Sequence, residues 1–195
     1  MSKTLILLFH PDLSGSRANV ALAGTALRLP GVEVIDLHAL YPDGRIDADQ
    51  EVARLLSADR IVLQFPIQWY STPSLLKAWQ DAVLTRMYYL NYETEGRLLE
   101  GTPLLVAATA GNVPEAYAPD GANKFTMAEL LRPLEATAHR CGLPWQPPFV
   151  LFRANKLDDI ALHGAVKTYA GLLEDWRKAT EPQEDFRRFL VEAWG

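Results

Sequence analysis

Sulfur is nearly missing from this sequence: one cysteine, Cys141, stands among 195 residues. A lone cysteine excludes an intrachain disulfide framework and cannot supply a thiolate metal cluster. Positive charge is short as well. Lys and Arg number 19 against 24 Asp and Glu, a formal net charge of -5. No basic stripe of the kind that phosphate backbones require is visible, which argues against a nucleic-acid partner. Charge gives no support to a membrane role either. No apolar run approaches the ~18–20 residues that a membrane-spanning helix needs. The opening MSKTLILLFHP holds a short apolar run, but Asp12 interrupts it and no small-residue cleavage site follows. It reads as a first strand rather than a leader. Neither GxxxxGK[ST] nor GxGxxG occurs, so the two common phosphate-loop signatures are absent. What these absences leave is an expectation of a cytoplasmic globular protein, one domain over 1–195.

What is present is rhythm. Short apolar runs at 5–9, 32–37, 60–65, 103–109 and 149–152 alternate with amphipathic stretches at about 18–29, 48–57, 73–86, 126–141 and 157–179. The runs are apolar on both sides of the strand period, as expected where helices cover both faces of a parallel sheet. The spacing predicts an α/β fold, a five-stranded doubly wound sheet. Two segments fall outside the rhythm. Residues 91–102, NYETEGRLLEGT, are too polar for a core and read as a surface excursion or short hairpin. The end, EPQEDFRRFLVEAWG, sets Phe186, Phe189, Leu190 and Trp194 at roughly helical spacing after a proline. It reads as a short helical extension on the body, or as a contact with a second subunit.

In an open parallel sheet, ligands bind beyond the carboxyl ends of the strands, where the strand order reverses. That rule selects the loops after strands one, three and four. The first, HPDLSGSRANVAL, runs into a helix near Ala18. There the free N–H groups, the Ser14 and Ser16 hydroxyls, Arg17 and His10 converge on a point suited to an anion, most naturally a phosphate. The second, FPIQWYSTPSLLKAW, places Trp69 and Tyr70 at the sheet mouth, where a flat ligand can lie against them while the backbone of 66–70 bonds its polar edge. Thr72-Pro73 then opens the next helix, with proline suited to its first turn. The third, ATAGNVPEAYAPDG, has small residues at Ala110 and Gly111 that let backbone approach a ligand, with Tyr117 able to return over it. Taken singly, each loop also has a plain structural reading: a helix cap, rim aromatics, a surface loop. Their convergence on one place is what points to a ligand.

These residues resemble a known family. HPDLSGSRAN, LYPDGRID, FPIQWYSTPSLLKAW and LRPLEATAHRCGLPWQPPF are similar to the flavodoxin-like NAD(P)H:quinone oxidoreductases. The resemblance is closest to the small bacterial branch with the ancillary flavoprotein of glutathione-gated potassium efflux systems. It implies strand order 2-1-3-4-5 and a homodimer with one flavin per subunit near the interface. It implies that His10, Ser16, Arg17, Ala18 and Asn19 hold the flavin phosphate region. Pro66, Ile67, Gln68, Trp69 and Tyr70 would line the isoalloxazine, and Thr109, Ala110, Gly111 and Asn112 would cover its other polar edge. Tyr88 and Tyr89 would reach the partner's substrate pocket. Trp69, Tyr70 and Tyr117 are the catalytic candidates, with Tyr117 and the third-loop N–H groups facing the charge of the reduced flavin. FMN is the expected cofactor, FAD the alternative, with NAD(P)H as co-substrate and a quinone-like acceptor. Cys141 reads as a buried, inert helix residue. The sequence departs from the family in two places: Ala110 and Asn112 break the usual TTGG of the third loop, and Asn123 stands where mammalian-type quinone reductases carry His. Two other roles stay open: regulation of a membrane potassium-efflux transporter, and one-electron carriage in the manner of flavodoxin.

Overall fold

A computed structural model of the chain describes residues 2–180. The expected helix over 181–195, with Phe186, Phe189, Leu190 and Trp194, lies outside the described residues. Five strands, β1 (Thr4–Leu8), β2 (Val32–Asp36), β3 (Arg60–Pro66), β4 (Leu104–Thr109) and β5 (Phe149–Leu151), form one all-parallel sheet in the order β2-β1-β3-β4-β5. In register, Leu5 pairs with Glu33 and Ile61, and Leu63 with Val106.

The strand period decides which helix each side chain meets. Leu5, Leu7 and Phe9 point to one face, where they pack with Val52 and Leu55 of α3 (Ala48–Leu56), Leu76 and Trp79 of α4 (Ser74–Trp79) and Leu131 and Leu134 of α6 (Met127–Arg140). Ile6 points to the other, against Ala18 and Leu22 of α1 (Arg17–Ala26) and Tyr169 and Leu173 of α7 (Asp159–Thr180). A one-turn helix, α2 (Leu37–Leu40), follows β2. Among the described residues, no helix is long and apolar enough to cross a membrane.

Two details differ from the sequence reading. Pro73 sits at the cap position with φ -56° and ψ 149°, and the helix begins one residue later at Ser74. Beyond Trp79 the chain neither stops near 86 nor turns outward at 91. It continues through wide turns at Gln80–Leu84, Arg86–Leu90 and Tyr92–Gly96 into α5 (Arg97–Leu99). The Asn91 N–H donates to the Arg86 carbonyl five residues back at 2.9 Å, the bond of a π-turn. The polar residues of 91–102 are the outer side of this helical run: Arg86 clasps the Glu95 carboxylate with Nε at 3.0 and 3.1 Å, while Leu99 is buried inside.

Candidate functional site

In this strand order the direction of winding reverses between β1 and β3. A cleft of about 390 Å³ opens there, at the carboxyl ends of the strands. Its first wall is the β1–α1 loop. Ser16 is the N-cap of α1, with its hydroxyl accepting from the Asn19 N–H at 3.3 Å and from Asn19 Nδ2 at 3.1 Å. With both lone pairs of the oxygen engaged, its own O–H is left to donate outward. The first-turn N–H groups of Arg17 and Ala18 have no helical carbonyl upstream, and no acidic residue stands in that turn to compete for the helix dipole.

His10 completes this donor set. Its Nδ1 accepts the Asp12 N–H at 3.1 Å, which assigns the ring proton to Nε2 as a donor. Burial, the main cause, holds the imidazole below its ordinary pKa, with His38 pushing the same way and Asp12 and Asp36 opposing. The Asp12 carboxylate is occupied within the loop, accepting from Ser14 Oγ at 2.9 Å and from the Gly15 N–H at 3.2 Å. At Gly15 a Cβ would lie 2.6 Å from Asp12 Oδ2, so any side chain there would push the carboxylate out of this arrangement. Arg17 reaches across the cleft end to the Leu157 carbonyl at 3.2 Å and to Asp159.

The floor is polar and fully paired. Asn19, 1% exposed, donates through Nδ2 to Thr109 Oγ1 at 3.0 Å, and Gln64 Nε2 donates to the Asn19 carbonyl at 3.1 Å. Pro66, Ile67, Ala110 and Gly111 form the central walls. Ala154 and Asn155, from the loop after β5, close the far side. The Ala154 N–H donates to the Ala110 carbonyl at 3.0 Å, so the β4 and β5 loops are stitched together.

The expected residues therefore separate into groups. His10, Ser16, Arg17, Ala18 and Asn19 share the cleft with Pro66, Ile67, Thr109, Ala110 and Gly111. Gln68, Trp69 and Tyr70 stand at its rim. The N–H groups of Gln68 and Ser71 donate to each other's carbonyls at 2.9 and 3.0 Å, closing a two-residue hairpin. Trp69 and Tyr70 occupy its centre with φ of 48° and 64°. Positive φ at both positions is the geometry of type I′ turns, which normally use Asn-Gly. Trp69 is 94% exposed. Tyr117 packs on Phe152 at 5.5 Å, and the Tyr70 hydroxyl donates to Asn123 Oδ1 at 3.4 Å. Asn112 turns away from the cleft: its Oδ1 accepts the Val113 N–H at 2.9 Å. Tyr89 is exposed beneath Arg140, at 5.3 Å, but Tyr88 is not available to any partner. Its ring is buried and its hydroxyl donates to the Cys141 carbonyl at 2.8 Å, which corrects the expectation that both tyrosines project outward. Cys141 itself is buried at the end of α6, its thiol pushed up to about 11 by burial. Asp12, Gly15, Ala154 and Asn155 were not picked out as site residues by sequence. The β5 loop carried one usable signal, the small-polar pair Ala154-Asn155 right behind a short strand.

A five-stranded parallel sheet with a donor-lined cleft at its reversal point defines an α/β protein of the doubly wound class. The chain belongs to the flavodoxin-like fold family, whose model matches residues 2–173. It is 41% identical over 165 residues, 84% of this chain and 89% of the other, to the glutathione-regulated potassium-efflux system ancillary protein KefG of Cronobacter sakazakii (strain ATCC BAA-894). Among solved structures, the general stress protein 14 of Treponema denticola in complex with FMN is 34% identical with a TM-score of 0.79, covering 92% of this chain and 99% of that one. An NADPH-quinone reductase from P. pentosaceus is 29% identical with a TM-score of 0.75, covering 86% and 95%.

Proposed function

We propose that this protein is a flavin-dependent NAD(P)H:quinone oxidoreductase that takes FMN. The observation that carries the reading is the donor set of the β1–α1 loop. The acceptor sites of Ser16 Oγ and His10 Nδ1 are occupied and the first-turn N–H groups have none, so together they offer only hydrogens to the cleft. A phosphate monoester fits such a set. The cleft volume suits a mononucleotide.

When bound, a flavin supplies the acceptance and return of a hydride. The chain supplies the rest. Pro66 and Ile67 wall one side of the ring site, and the Trp69–Tyr70 turn follows directly on that wall. The Ala110 N–H is spent on the Leu151 carbonyl at 2.9 Å, so the Gly111 N–H and the Tyr117 hydroxyl are the donors that would meet negative charge on the ring's pyrimidine end. Trp69 and Tyr70 orient flat substrates and exclude water; Tyr117 holds its proton as a donor, because burial raises its pKa above the ordinary phenol value. A quinone-like acceptor and NAD(P)H alternate at the open face.

Exposed Tyr89 and Leu90, 69% and 74% accessible, form an apolar patch that a second copy would cover in a homodimer, with Tyr89 near the partner's cleft. Light scattering of Leu90→Asp against the parent reads that assembly. Reducing chemistry of this kind, fed by NAD(P)H, fits the cytoplasm. The likeness to KefG supports a second reading, regulation of a potassium-efflux transporter, which co-purification with such a transporter would test. The main reading is tested by purifying the protein, recording its visible spectrum, identifying the released chromophore by mass and following NAD(P)H oxidation with benzoquinone. A colourless protein that takes up no FMN and oxidises no NAD(P)H overturns it.

A further inference from the structure

The loop leaving β4 doubles back, and Gly121 permits it: a Cβ there would lie 2.3 Å from the Glu115 carbonyl oxygen and 2.7 Å from that of Ala116. Lys124 takes φ 63° in the same return, and the Asn123 N–H donates to the Ala116 carbonyl at 2.9 Å. Asn123 is thereby fixed beside Tyr117. On its other side, its Oδ1 accepts from the Tyr70 hydroxyl at 3.4 Å. The Asn123 side chain and Tyr70 both lie close enough to the Tyr117 hydroxyl to act on its titration, Tyr70 raising its pKa and Asn123 lowering it. One half-buried amide thus stands between two phenols, Tyr70 from the loop after β3 and Tyr117 from the loop after β4.

We propose that Asn123 is a positioning residue that ties Tyr70 and Tyr117 into one unit, bridging the strained turn after β3 and the loop after β4. An amide donates on one side and accepts on the other, and it has no proton that titrates near neutral pH. With its amide turned to the Tyr117 oxygen as donor, Asn123 would leave the phenolic proton of Tyr117 free for an outside acceptor. Through Tyr70, the same amide steadies the turn that carries Trp69. The use of this unit in hydride exchange rests on the function proposed above; the linkage itself is a property of the flavin-free protein.

The test follows from that separation. Flavin-free protein with Cζ-labelled tyrosines is examined by NMR at pH 7, with Tyr70→Phe and Tyr117→Phe assigning the two resonances. Tyr70→Phe should move the Tyr117 resonance in the parent and leave it in place in Asn123→Ala, while the Tyr41 and Tyr169 signals, far from the mouth, do not move. In flavin-loaded protein, Asn123→Ala should lower kcat with benzoquinone about tenfold at unchanged KM for NAD(P)H. Asn123→Gln should recover part of that loss. A Tyr117 resonance that responds to Tyr70→Phe equally in both backgrounds, or in neither, overturns the proposal. If Asn123→Ala fails to fold, Asn123→Leu, of similar size but with neither donor nor acceptor, gives the same reading. Failure to bind flavin would sink the proposed function and leave the NMR result standing.

Discussion

Asn19 Nδ2 donates to the Thr109 hydroxyl at 3.0 Å, fastening the first turn of α1 to the last residue of β4 beneath the cleft. The same amide supports the Ser16 cap and accepts from Gln64 Nε2 at 3.3 Å. Removing it leaves buried hydrogen-bonding groups short of partners, a penalty of about 1–3 kcal/mol. Asn19→Ala should therefore lower the melting temperature of the flavin-free protein by roughly 4–8 °C, the equivalent of about 2 kcal/mol at this chain length. Thr109→Val should fall in the same direction by less. Calorimetry of the two variants checks both the order and the size.

Ser16 and Arg17 should separate phosphate from ring. Ser16→Ala loses an N-cap, worth about 1 kcal/mol of stability, and also a donor to the cleft. Ser16→Ala and Arg17→Ala should each weaken FMN by about tenfold, or 1.4 kcal/mol, while riboflavin, which lacks the phosphate, binds as it does to the parent. Titration of both flavins by fluorescence quenching makes the comparison; parallel losses for the two ligands would move the phosphate site elsewhere.

The Trp69–Tyr70 turn holds two non-glycine residues at positive φ, each costing of order 1–3 kcal/mol. Trp69→Gly should raise the melting temperature by roughly 2–4 °C, the equivalent of about 1 kcal/mol, and at the same time weaken FMN and riboflavin together. Trp69→Phe keeps the strain and part of the ring face, so it should show neither the gain in stability nor the full loss of affinity. A Trp69→Gly protein that binds flavin like the parent would make the indole a bystander.

Acid should loosen the fold in two stages. His10 and His38 are both held below their ordinary pKa, burial being the main cause in each, and His38 Nε2 is buried without a hydrogen-bond partner. The unfolded chain takes up these protons first, near pH ~6.5, so stability is complete above that pH and declines as pH falls through it, levelling off below the depressed native values. Asp12 and Glu129, held low chiefly by hydrogen bonds from Ser14 and from the Thr126 N–H, are lost only further down, below the ordinary carboxylate range. Melting temperature against pH should fall between about pH 7 and 5.5, and the double variant His10→Gln, His38→Gln should flatten that segment while leaving the lower one.

The sheet was readable because β1, β3 and β4 are buried on both faces, so their composition alone marks them. β2, at the edge, is half-buried throughout, and its Val-Glu-Val-Ile-Asp run still paired in register with β1. Loop positions followed from the strands, which is why the β1 and β4 loops brought their residues to one cleft. The wide turns of 80–96 were not readable: the period changes where an extra residue enters each turn, so Met87 and Tyr88 pack inward from a stretch whose composition looks superficial. The Trp69–Tyr70 hairpin was equally hidden, since a two-residue turn is recognised by Asn and Gly and here the surrounding bonds of Gln68 and Ser71 impose it on aromatics.

Quinones are electrophiles as well as oxidants, and they arylate thiolates by conjugate addition. Cys141 is the sole cysteine of the sequence, 3% exposed, with its thiol kept protonated by burial. On the proposed quinone-reducing function, a chain that shows such compounds no reactive sulfur is spared arylation by its own substrates.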